Sequence, residues 1–323
     1  MLAGFRKHPQ LVYPYQSGVQ EEILKTLTLT FRRFFRDDGH YLLLLSPLLI
    51  FVVAVAIYPL FFSFRISLFD YRLTDPSQTQ TFVGLKNYIR ALTDTVVLDS
   101  LKATMIFVLG TVILELFVGL GLALLLSAET RIMGALRSFL IMPMAIPPLV
   151  VGLVWKALYN ADFGVIPFYL KAIGINVGRG PLAELKTAMP AVILVDLWQW
   201  TPLLMVIFLA GLKSLPTEPY EAAVVDGASR WQSFWFITLP LLKPTILVAL
   251  LLRTMQSFKV FDTIYATTSG GPGSTTTVLN FHIYTVGMRF FDMGYAAALA
   301  NILLVVVAVL SVIYIMVLER QQL

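Results

Sequence analysis

The chain has 323 residues, of which 58% are hydrophobic and only 13% charged, and its mean hydropathy is +0.79. A soluble domain carries about a quarter of its residues as charges, so that class is excluded, and a net charge of +5 in so apolar a chain speaks to membrane orientation and not to nucleic acid. Disulfides, iron–sulfur clusters and thiol catalysis are excluded because there is no cysteine.

Residues 1–41 form a segment of their own. Ile23, Leu27, Phe31 and Phe34 recur at helical spacing while Lys25, Arg32 and Arg36 fall on another face. This predicts an amphipathic helix on the cytoplasmic headgroups, with a flexible basic tail as the alternative. Six apolar runs follow: Leu42–Phe64, Ala103–Leu126, Phe139–Leu158, Ala188–Leu209, Pro244–Tyr265 and Ala296–Val317. Each suffices for the roughly 20 residues that cross a bilayer core, and the first is too long to be the apolar part of a cleavable signal. Continuous runs predict helices and not a barrel, hence an all-α integral membrane protein of six transmembrane helices. A loop over 65–102 follows the first span, and a five-helix core over 103–323 contains a polar loop at 213–243.

Six spans put both termini on one side. If that side is cytoplasmic, 12 basic residues lie inside against 9 outside, and Arg32, Arg33 and Arg36 crowd the first span. The charge rule therefore favours cytoplasmic termini in a multi-pass protein of the cell (inner) membrane.

Span two carries Glu115, expected to hydrogen-bond between helices, and Gly119 and Gly121, expected to let helices approach closely. Span three holds Pro143, Pro147 and Pro148, which predict a bent helix buried in protein. Span four presents Asp196, Gln199, Trp200 and Leu203, and span five Arg253, Gln256, Ser257 and Val260, each set at i, i+3, i+4, i+7 and so on one face. Ionisable groups at membrane depth face a cavity or a partner, so Asp196 and Arg253 either contact a ligand or neutralise one another. Lys259 and Asp262 are expected to form a local pair.

Between spans four and five lies EAAVVDGASRWQSFWFITLP, residues 221–240. Its punctuation predicts two short helices: Thr217 caps the first, Gly227 ends it, Ser229 and Gln232 form a capping box for the second, and Pro240 stops it before Pro244 opens span five. Ala222, Ala223 and Ala228 give the first helix a small-residue face. The alternative is a linker lying on the membrane through Trp231, Phe234 and Trp235.

Glu221-Ala222-Ala223, Gly227, Ile237, Leu239 and Pro240 resemble the EAA signature of binding-protein-dependent ABC importer permeases. FVGLKNY at 82–88, LIMPMAIPPLVVGLVWKALYN at 140–160, LWQWTPLLMVIFLAGLKSLP at 197–216 and VFDTIYATTSGGPG at 260–273 are similar to the carbohydrate-type subfamily, which includes maltose, trehalose and glycerol-phosphate permeases. The resemblance runs from about residue 42 to the end. It implies the type I ABC importer permease fold and a coupling helix that docks into a cytoplasmic ATPase through Glu221, Ala222, Ala223, Asp226 and Gly227. It also implies a sugar pocket lined by Asp196, Gln199, Trp200, Arg253, Gln256 and Ser257. The implied partners are a second homologous permease, two copies of an ATP-binding subunit, an extracytoplasmic substrate-binding protein or lipoprotein, and a sugar of the trehalose or maltose type. Glycerol phosphate is the alternative substrate, through Arg253.

No cofactor is expected on this chain, because ATP and Mg belong to the partner ATPase. Its glycine-rich stretches lack the order of a phosphate-binding loop, AGLKS at 210–214 misplacing the glycine and SGGPGST lacking lysine. His8, His40 and His282 lack a metal-ligand spacing, and no nucleophile–base arrangement is visible, so the chain is expected not to be an enzyme. An ion-driven secondary transporter is the competing class, for which Glu115 and Asp196 make a sparse carboxylate relay.

Overall fold

The computed structural model describes residues 39–74, 80–175 and 178–319, so the amphipathic helix expected within residues 1–41 lies outside it. The chain divides into two units, Met1–Phe62 and Ser63–Leu323. The first contributes α1 (Gly39–Val52), one π turn (Val53–Ile57) and the start of α2 (Tyr58–Ser67). Together they make a continuous apolar span, Leu44–Ser67.

In the second unit, β1 (Phe69–Asp70) pairs antiparallel with β2 (Thr81–Phe82), Phe69 opposite Phe82. Next comes α3 (Lys86–Thr93), from which Asn87 donates to the carbonyls of Ser67 at 2.9 Å and Phe69 at 3.0 Å. The end of the first span is thereby clasped to the FVGLKNY stretch. Asp94 caps α4 (Thr95–Leu125) by accepting from the Val96 N–H at 3.0 Å.

The expected third span is a bent pair. Helix α5 (Arg131–Ile141) runs into a 3₁₀ turn (Met142–Ala145), and α6 (Pro148–Leu158) leaves at 98°. The cause is local: Ile146 and Pro147 each precede a proline and both take extended backbone, ψ 133° and 134°, which the α region excludes before proline. Burial is less than expected, because within α5 and α6 only Val151 and Gly152 are buried while Phe139, Leu149, Leu153 and Val154 are exposed on this chain.

Helices α7 (Val165–Ala172), α8 (Ala188–Lys213) and α9 (Glu218–Val225) follow. Then α10 (Arg230–Ser233), a π turn (Phe234–Thr238) and α11 (Leu239–Phe258) join into one 29-residue helix, Arg230–Phe258. This corrects two expectations. Pro240 does not stop the second hairpin helix, and Pro244 lies inside α11 instead of opening it. Pro240 comes straight after the π turn, whose wider i→i+5 pattern accommodates the hydrogen bond that proline cannot make. The outer end of expected span five is also shorter, because the chain turns at Lys259 and Tyr265 belongs to α12 (Asp262–Thr267). Last come α13 (Leu279–Tyr284), a π turn (Thr285–Arg289) and α14 (Met293–Glu319).

Among the described residues five helices are long and apolar enough to cross a membrane, or six if the bent pair counts as one span. Helix α4 is the axis of the core. Its Ala103 and Phe107 pack with Met189, Val192 and Ile193 of α8, and its Leu120 and Ala123 with Leu204, Met205 and Phe208 lower on the same helix. Val108 and Val112 turn to Phe258 of α11 and Leu299 of α14. Gly119 makes the α4–α8 contact possible, since a Cβ there would stand 2.9 Å from that of Leu204. Gly121, expected to do the same, has nothing within 4 Å.

Candidate functional site

Helices α4, α8 and α11 each bring one ionisable side chain to a common point: Glu115 is 0% exposed, Asp196 2% and Arg253 2%. Arg253 donates from Nε to Glu115 Oε2, and from Nη2 to Glu115 Oε1 at 2.9 Å and to Asp196 Oδ2. A buried charge costs several kcal/mol unless it is paired and hydrogen-bonded, and these three satisfy one another. Asp196 and Arg253 thus do neutralise one another, with Glu115 as a third member that the sequence placed only as a helix–helix bonding residue.

Beside the cluster opens a cavity of about 180 Å³, walled by Asp196, Trp200, Arg253 and Gln256, with Lys259 and Asp262 also at its edge. The guanidinium carbon of Arg253 sits 5.7 Å from the Trp200 ring centroid. Lys259 and Asp262 form no ion pair with each other among the described residues, contrary to expectation.

Four of the six expected pocket residues therefore meet at one cavity, and two do not. Gln199 is fully buried and donates to the Ile146 carbonyl at 2.9 Å, supplying the partner that the proline break in the bent pair needs. Ser257 faces α4, with its Oγ 3.3 Å from Thr111 Oγ1. Helical spacing put Gln256 and Ser257 on one face, yet the boundary between cavity and helix contact falls between them.

The hairpin at 217–233 is built differently. Thr217 takes helical backbone (φ −85°, ψ −25°), so its side chain does not cap, and the expected N-cap is absent. Gly227 does reverse the chain, at φ +73°, where a Cβ would be strained. The capping box forms: Ser229 Oγ accepts from the Gln232 N–H at 3.3 Å and Gln232 Oε1 from the Ser229 N–H at 2.7 Å. Tyr220 ties the legs together by donating to Thr238 Oγ1 at 3.0 Å.

Glu221, Ala222, Asp226 and Gly227 are exposed, but Ala223 packs inward and Ala228 is half-buried, so the expected small-residue face is divided. In its place the outer surface presents Val224 and Val225, 76% and 88% exposed, which spacing alone did not single out.

A second polar cavity, about 620 Å³, is walled by Arg72, Arg90, Asp94, His282, Arg289 and Asp292. Burial alone would raise the Asp94 carboxyl, but the Tyr295 hydroxyl, donating at 2.8 Å, and the N–H groups of Val96 and Val97 outweigh it and hold it below the usual range. A larger cavity of about 760 Å³ between α6, α7 and α8 is lined almost wholly by apolar side chains such as Trp155, Ile166 and Leu194.

Over residues 115–321 the sequence matches the family described as binding-protein-dependent transport system inner membrane component. The chain belongs to this family. This inner membrane component is 36% identical to the trehalose/maltose transport system permease protein MalF of Thermococcus litoralis, over 88% of its own length and 96% of that protein. It is also 36% identical to the sn-glycerol-3-phosphate transport system permease protein UgpA of Agrobacterium fabrum, over 72% and 79% of the two chains. Its fold matches the crystal structure of a bacterial ABC transporter involved in the import of the acidic polysaccharide alginate, with a TM-score of 0.77 over 90% of this chain and 99% of that one, at 21% identity. The fold is that of an ABC importer permease. Both the hairpin and the charged cluster lie within the matched residues of this permease.

Proposed function

We propose that this permease is the translocating subunit of an ATP-driven importer that carries a di- or oligosaccharide, of the trehalose or maltose type, into the cytoplasm. The observation that carries the proposal is the unbroken helix Arg230–Phe258, which begins at the hairpin and ends at the cavity. One end presents a surface that no described residue covers, and the other presents Arg253 and Gln256. Such a connection suits a subunit whose driving energy arrives from outside the chain.

In this proposal both termini and the hairpin are cytoplasmic, and Glu221, Ala222, Asp226 and Gly227, with Val224 and Val225, dock into an ATPase subunit that binds ATP and Mg. Ala223 supports the docking helix from within. A second permease completes the pathway around the cavity, and an extracytoplasmic binding protein delivers the sugar, in keeping with the family's description. Trp200 offers a ring face to the apolar side of a sugar, while Asp196, Arg253 and Gln256 offer hydroxyl partners. Gln199 and Ser257 hold the helices that form the wall.

The test is a gentle-detergent pull-down of the tagged chain from native membranes, followed by mass spectrometry and reconstitution. A second permease and a soluble ATPase in the eluate, with uptake stopped by vanadate and untouched by an uncoupler, are expected. A chain recovered alone that still catalyses uptake driven by an ion gradient would overturn the proposal.

A further inference from the structure

Among the described residues Arg253 is the only positive charge that the membrane-spanning helices bring to the cavity wall, and it is already in use: three hydrogen bonds go from it to Glu115 and Asp196. Two carboxyl groups face one guanidinium, so the cluster has no positive charge left over for an anion. Lys259 and Asp262 also line the cavity, with opposite signs though with no ion pair between them among the described residues, so the lining as a whole carries no net positive charge. The Nη1 amino group of Arg253 makes no hydrogen bond among the described residues. It is a donor free for a neutral oxygen. Gln256 Oε1 is a buried acceptor without a partner among the described residues, so the wall also lacks a donor. A hydroxyl group both accepts and donates, and it meets both needs. A phosphate or carboxylate only accepts, and would leave Gln256 unsatisfied while facing Asp196.

We infer that this cavity selects uncharged, hydroxyl-bearing solutes and rejects phosphorylated or carboxylated ones, with Asp196 and Glu115 enforcing the choice by occupying Arg253. The inference rests on the proposal that the cavity binds the transported solute. It assigns Glu115, which does not line the cavity, a positioning role in specificity.

The test uses the assembled permease–ATPase complex in nanodiscs without binding protein, so that any selectivity belongs to the membrane subunits. Equilibrium dialysis against radiolabelled maltose and radiolabelled sn-glycerol 3-phosphate gives the affinity ratio. The wild-type complex is expected to favour maltose at least tenfold, and Asp196→Asn or Glu115→Gln to reduce that ratio at least tenfold by releasing Arg253. A wild-type ratio near one, or an unchanged ratio in variants that still assemble, overturns the inference while leaving the importer standing. The wild-type ratio decides the matter even if neither variant assembles. Binding of neither solute by a complex that hydrolyses ATP removes the cavity as the solute site and this inference with it.

Discussion

Two regions of the molecule carry acids, and they treat them in opposite ways. In the α4–α8–α11 cluster Glu115 and Asp196 are buried to within a few percent and both bond to Arg253. In the hairpin Glu221 and Asp226 stand in the open beside Val224 and Val225, with no ion-pair partner among the described residues. The cluster is complete on its own terms, whereas the hairpin has a rigid frame and an unoccupied surface. The difference teaches that charge identity alone does not assign a role. A buried group satisfied within the chain fixes the helices and tunes what lies beside it, while an exposed one is left to water or to a partner.

Substitutions can break or sharpen that contrast. The largest effect is expected for Arg253→Ala, which strands two buried carboxyl groups and costs about 3–5 kcal/mol. The variant should be degraded or misassembled, as membrane yield and thermal denaturation would report. Adding Glu115→Gln and Asp196→Asn should recover much of the yield, and no recovery would mean that the arginine serves something other than these acids. In the hairpin, Glu221→Arg or Gly227→Pro should abolish uptake with the chain still present at normal level in the membrane. Normal uptake in both would remove the docking role.

At the cavity, Trp200→Ala and Gln256→Ala should reduce sugar uptake about tenfold while the ATPase still copurifies, an effect near 1.4 kcal/mol. Loss of the ATPase instead would mark these residues as structural. Gln199→Ala should lower thermal stability by about 1–3 kcal/mol, because the Ile146 carbonyl is left without a donor.

The smallest effect belongs to Asp94, which stands between the two extremes. Its folded carboxyl is held below the ordinary aspartate value, so its stabilisation is present above pH 4 and is lost as pH falls through the folded value. Asp94→Ala should therefore cost about 1 kcal/mol at pH 7, and thermal denaturation of mutant and wild type should converge at the acid end.

The sequence carried the spans, the hairpin and its capping box because each depends on local signals: apolar length, a glycine at positive φ, and a serine three residues before a glutamine. It carried four of the residues that line the cavity as well, Asp196, Trp200, Arg253 and Gln256, but not the exclusion of Gln199 and Ser257. It did not carry the partnership of Glu115, because helical spacing places a residue on a face but leaves the rotation of α4 against α8 and α11 open. Near the middles of expected spans two, four and five stand two acids and one base, Glu115, Asp196 and Arg253, and that is the signal that points to it. The proline rules misplaced the end of the second hairpin helix for a related reason. A π turn shifts the register by one residue, and Pro240 then falls where a helix tolerates it.

The continuous helix Arg230–Phe258 has a mechanical consequence. At 1.5 Å per residue, Arg230 and Arg253 lie about 35 Å apart along one rod. A rod tilting about its own midpoint by about 10° carries each end sideways by about 3 Å, the length of a hydrogen bond. A shift of that size at the Arg253 end is large enough to part its guanidinium from Asp196, so a small tilt of this one helix is sufficient to change the bonding of the buried cluster.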